Sequence, residues 1–127
     1  MNLHEARIEA MKILYTLDMT NALEEKNVLT EDDKAKEFAL NTIKDIKKID
    51  FVISVCLQNY TINRLNLVDK AIIRLATAEL MNGTDKKVVI NEALELTKEY
   101  SDQGDHKAVA FNNRLLDNIS VRMKDLI

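Results

Sequence analysis

Few residues in this chain are of types that do chemistry, and their spacing does not bring them together. There is one cysteine, Cys56, and two histidines, His4 and His106, which lie near opposite ends of the 127 residues. A structural zinc site draws its four ligands mainly from Cys and His, so a site here would need carboxylates to complete it. A catalytic thiol needs a neighbouring base and partial exposure. Cys56 instead falls on an apolar stripe, where cysteine packs as a small hydrophobe. Two glycines cannot form the glycine-rich loops that cradle phosphates. The acidic pairs Glu24-Glu25 and Asp32-Asp33 read as solvated loop and cap residues rather than acid/base dyads. No metal, cofactor or catalytic set is expected, which leaves recognition. Lys86 and Lys87, read as a basic pair beside a helix start, are candidates for phosphate contact, although two solvated lysines fit as well.

Charge restricts what such recognition can be. The chain carries 18 basic and 21 acidic residues, with a pI near 5.4. Phosphate contacts supply most non-specific nucleic-acid affinity, and an autonomous binder usually shows a basic excess. Any RNA binding must therefore be local, modest or shared with a basic partner. The lone cysteine fits a reducing compartment, and no apolar run approaches the roughly 18 residues of a membrane span. The start, MNLHEARIEAMK, has acids where a signal peptide is basic and then apolar. These features read as a cytoplasmic protein.

The elements that position these residues are helices. Proline is absent and glycine occurs twice, so breakers are nearly missing. At 127 residues one domain with a real core is expected. A first helix over Leu3–Asp18 places Leu3, Ala6, Ala10, Ile13, Leu14 and Leu17 on one face. Residues 20–33 are polar and aperiodic, with Thr30-x-x-Asp33 as a capping box for a second helix near Asp32–Lys47. The third carries a stripe of Ile49, Val52, Ile53, Cys56, Leu57 and Tyr60. Asn66 caps a fourth, with Asp69 in its first turn. This helix is apolar on most sides, so it is expected to sit centrally before Gly83 ends it. A fifth, Lys87–Tyr100, buries Val89, Ala93, Leu96 and Tyr100. A last helix, with one break allowed, carries Val109, Phe111, Leu115, Leu116, Ile119, Met123 and Leu126. Arg74 and Glu79 are expected to take structural ion pairs or hydrogen bonds.

The strings V-D-K-A-I-I-R-L-A-T-A-E-L (Val68–Leu80) and K-V-V-I-N-E-A-L-E-L (Lys87–Leu96) closely resemble the NusB family of antitermination factors. Ala6-Arg7, Ala10, Leu14-Tyr15 and Phe111-x-Asn113-x-x-Leu116-Asp117 extend the resemblance to both ends. It implies an all-α, NusB-like domain of six or seven helices in two small bundles, here residues 1–60 and 61–127. It also implies recognition of boxA-type RNA jointly with a small-subunit ribosomal protein, NusE, in the RNA polymerase antitermination complex that promotes ribosomal RNA transcription.

By the same resemblance Arg7 is the surviving arginine of an RNA-contacting segment, its alternative being an ordinary exposed charge. Asp69 matches an acidic partner-binding position, and Asn113 either hydrogen-bonds the bundle or faces RNA. Asn91 and Glu92 are expected to fix the loop before the fifth helix. The chain also departs from the family. Leu3-His4-Glu5 stands where an arginine-rich run is common, and residues 1–25 hold Arg7 and Lys12 against five acids. Arg114 replaces a glycine, where it either restores a positive charge near the RNA or points to solvent; Asn112 replaces a valine, and the loop before Phe111 is longer. These departures leave a second reading open: a NusB-fold protein-interaction module, such as a homodimer, with weakened or lost RNA binding.

Overall fold

The computed structural model describes all residues, 1–127, and contains six α-helices with no strand. They are α1 (Leu3–Met19), α2 (Asp33–Lys44), α3 (Ile46–Cys56), α4 (Leu67–Met81), α5 (Lys86–Tyr100) and α6 (Lys107–Leu126). Single 3₁₀ turns at Glu25–Asn27 and Ile62–Arg64 shape the two longer connections. No helix is long and apolar enough to cross a membrane.

The α4 helix organises the rest. It begins where the Asn66 carboxamide oxygen accepts from the Asp69 amide at 2.8 Å, satisfying a donor that a helix start leaves unpaired. It ends at Gly83, whose φ of +87° suits a residue without Cβ. Twelve of its fifteen residues are buried, and it packs against α1, α2, α3, α5 and α6. Its buried polar groups are each answered. Arg74 grips Asp50 of α3 with two hydrogen bonds of 2.8 and 2.9 Å and reaches Asp18 of α1 at 3.2 Å. Lys70 also approaches Asp18, at 3.6 Å, and Thr77 donates to the Ile73 carbonyl at 2.7 Å. Arg74 and Glu79 therefore pair elsewhere, since residues five apart point away from each other on a helix.

One continuous cluster of 26 buried side chains forms the core. Residues 1–60 and 61–127 thus share a single interior through α4. Several helix-end expectations are corrected. Leu3, Tyr60 and Tyr100 are exposed at 49%, 40% and 38%: α3 already ends at Cys56, before Tyr60, and Leu3 and Tyr100 are the terminal residues of α1 and α5. Thr30 is not the cap of α2: Asp32 accepts from the Ala35 amide at 2.8 Å, while the Thr30 hydroxyl turns to Glu9 of α1. α6 runs unbroken from Lys107 to Leu126.

Candidate nucleic-acid interface

The last two helices build an exposed polar face. Asp85 caps α5 by accepting from the Val88 amide at 3.3 Å, so Lys86 and Lys87 open the helix and both are exposed. Lys86 crosses to α6, where its Nζ lies 3.0 Å from Asp117. Three residues earlier on α6 is Arg114, exposed, with Asn113 exposed beside it. Lys87 and Arg114 have no carboxylate within ion-pair distance. The structure thus brings Lys86 and Asp117 together one turn from Arg114, and leaves these cations facing water. Asn113 makes no side-chain hydrogen bond, so of its two expected roles the one within the bundle is not taken.

Arg7 and Asp69 lie elsewhere and are buried, at 5% and 8% exposure. Arg7 is neither the ordinary surface charge nor an arginine presented outward. Its Nε donates to Glu79 Oε2 at 2.9 Å and its Nη2 to Oε1 at 2.7 Å, a two-point grip. The guanidinium lies 5.1 Å from the Phe38 ring centre, and Nη1 comes within 3.9 Å of Glu92. The Glu79 hydrogen bond, with the two carboxylate charges, raises the Arg7 pKa against the opposing effect of burial.

Asp69 is the hub of a polar network at the start of α4. Its Oδ1 accepts from Ser101 Oγ at 2.7 Å and Asn112 Nδ2 at 3.0 Å, and its Oδ2 accepts from Asn66 Nδ2 at 2.8 Å. Asn112 also donates to Thr97 Oγ1 at 3.1 Å. Sequence reasoning chose Asn113 by matching the Leu-Asp pair that follows and missed Asn112. The helical phase held the signal, since Asn112 precedes buried Leu115 and Leu116 by three and four residues.

Glu92 corrects a further expectation. Rather than fixing the loop before α5, it ties α5 to α1. His4 Nδ1 lies 2.9 Å from Glu92 Oε2, and Nε2 lies 3.4 Å from Glu99. The hydrogen bond to Glu92, aided by both negative charges, raises the His4 pKa. Asn91 is exposed and unbonded. Both cations of residues 1–25 are therefore engaged internally: Arg7 by Glu79, and Lys12 by the Tyr100 ring at 5.3 Å.

A second basic pair went unread as a helix start. Lys47 and Lys48 stand in the first turn of α3, both exposed. Cys56 is buried, and that burial pushes its thiol pKa up against the opposing charge of Arg122, which disfavours the thiolate. No three His, Cys, Asp or Glu side chains converge as metal ligands.

Known proteins share this architecture and sequence. A transcription antitermination protein NusB from Sulfurimonas denitrificans is 35% identical over 92% of this chain and 95% of its own length. The T. maritima NusB structure superposes with a TM-score of 0.79 at 31% identity, covering 95% of this chain and 92% of that one. NusB in a crystal structure of antitermination factors NusB and NusE with dsRNA matches at a TM-score of 0.74 and 29% identity, over 93% of this chain and 95% of its own. The family model described as NusB family spans residues 4–121, and with relatives so similar over nearly their full lengths, this chain belongs to the NusB family.

Proposed function

We propose that the chain is a cytoplasmic, non-catalytic transcription antitermination factor that binds boxA-type RNA together with the ribosomal protein NusE. The observation that carries this reading is its similarity along nearly its whole length to NusB proteins, including one solved with NusE and dsRNA. Lys86, Lys87, Asn113 and Arg114 are the residues assigned to RNA, because they share the exposed face of α5 and α6. Arg7 serves it from behind, holding α1 against α4 and α5 through Glu79 and Glu92. Asp69 serves NusE in the same indirect way, by fixing the start of α4 against α6.

With about four cationic or polar contacts to single-stranded RNA, log K should fall with log salt at a slope of roughly −2 to −3, since each phosphate contact contributes about −0.7. Titration of boxA-type and scrambled RNA with NusE present, and of boxA-type RNA with the chain alone at two salt concentrations to read the slope, tests the reading. Preference for boxA with that slope supports it, and equal, salt-insensitive affinities refute it.

The alternative, a protein-interaction module with weakened RNA binding, is favoured by the internal engagement of Arg7 and Lys12. It predicts self-association in sedimentation and no recovery of NusE or RNA polymerase from cell extract.

A further inference from the structure

The outward side of α3 stays open to water. Ile49, Val52, Ile53 and Cys56 turn inward and are buried, and Asp50 turns to Arg74 of α4. Lys47, Lys48, Phe51, Ser54 and Val55 fall on the opposite side, at spacings of three and four that make one helical face. Lys44, exposed in the last turn of α2, stands just ahead of them. No other five-residue stretch of the chain holds three lysines. None of the three has a carboxylate within ion-pair distance.

Phe51 is 52% exposed, the one aromatic side chain more than half open to water. Four residues on is half-buried Val55, whose carbonyl accepts from Arg122 of α6 at 3.5 Å. An apolar centre is thus bounded by cations at both ends, and exposed apolar surface rimmed by charge marks an interaction site. Lysines are compact point charges, without the planar fork that grips phosphate at two points. A single ring offers no second platform for successive bases, and no carboxamide stands between the lysines and Phe51 to read a base edge. One apolar anchor flanked by charge of one sign instead matches a peptide segment of the opposite sign.

The chain's own acidic loop has related chemistry, with Leu29 84% exposed among Glu24, Glu25, Glu31 and Asp33. It precedes α2, whose 12 residues hold it about 18 Å from Lys44, so it meets this face only from a second molecule. We propose that the outward face of α3, with Lys44, docks an acidic segment of a partner protein. The partner's carboxylates lie on Lys44, Lys47 and Lys48, and a large apolar residue lies on Phe51 and Val55. Since α3 and α5 share no substantial contact, this surface is separate from the Lys86–Lys87 surface and does not depend on the RNA-binding reading.

The probe is a fluorescein-labelled peptide, acetyl-Glu-Asp-Leu-Phe-Glu-Asp-amide, titrated into the full-length chain by anisotropy and into the ¹⁵N-labelled chain by NMR. It should shift the amides of Lys47, Lys48, Phe51, Ser54 and Val55, and its binding should weaken with added salt. The same peptide with lysine in place of each acid should not bind. Lys47→Glu combined with Lys48→Glu should weaken the acidic peptide at least about tenfold. Phe51→Ser should weaken it about fivefold by removing the apolar anchor. All three positions are exposed, so thermal melts should match that of the unaltered chain. The proposal is overturned if the shifts are absent or fall elsewhere, or if both variants bind the peptide like the unaltered chain. Displacement of the peptide by oligouridylate at lower concentration overturns it in favour of nucleic acid. Self-association at micromolar concentration in sedimentation, abolished by Leu29→Ser, overturns it in favour of the acidic loop of a second copy.

Discussion

Unfolded, Arg7 and Glu79 are each hydrated, and folding strips water from both. Such burial is tolerable only when the partner and its geometry are complete, as the two-point contact here is. Removing one side leaves an unpaired buried charge. Glu79→Ala and Arg7→Ala should each cost about 3–5 kcal/mol in urea unfolding, while the double variant should cost less than the sum. A loss below about 1 kcal/mol, the value of a surface pair, would contradict the buried pairing. The neighbouring amides separate just as clearly. Asn112→Ala should cost about 1–3 kcal/mol by removing the buried donor shared by Asp69 and Thr97, whereas exposed Asn113→Ala should stay within about 0.5 kcal/mol. His4 sets a pH dependence. Its folded pKa is raised by Glu92 and Glu99, so its contribution is full below the unfolded value near 6.5 and is lost as pH rises through the folded value. His4→Gln should therefore destabilise modestly at pH 5.5 and hardly at pH 9, because the side chain is partly exposed and water screens the pair. Equal losses at both pH values would count against this.

At the scale of elements, α4 is the piece that local pattern states most completely. Apolar residues on nearly every side, an Asn cap before them and a glycine after them announce a central helix. Asn66→Ala should cost about 1 kcal/mol or more, since the side chain both caps α4 and donates to Asp69. A thermal melt indistinguishable from the unaltered chain would show that the cap contributes nothing. Helix ends were less legible. The periodicity that includes Leu3, Tyr60 and Tyr100 runs to the first residue of α1, past the end of α3 and to the last residue of α5, and a repeat of three and four residues does not mark where a helix stops. The cap of α2 shifted because Thr30 found a carboxylate on α1, a tertiary competitor that local spacing does not reveal. The site divided similarly. Lys86, Lys87 and Arg114 were readable as exposed charges on α5 and α6. Arg7 was not readable as a buried one, because its partner is 72 residues away.

Over the whole molecule, one core joins the two halves and the surface carries a net charge of −3. A surface with that balance repels polyanions at long range, so a few local cations cannot sustain tight RNA binding alone. A basic second protein supplies the missing attraction, and linkage then requires each ligand to tighten the other by the same factor. Joint recognition is thus what the charge balance demands of an RNA-binding protein with this surface. The most direct measurement is the affinity for boxA-type RNA with and without saturating NusE, and the affinity for NusE with and without that RNA, in one buffer. The expected result is weak RNA binding by the chain alone, strengthened at least about tenfold by NusE, with the reverse titration giving the same factor. A factor of one in both directions would contradict the account.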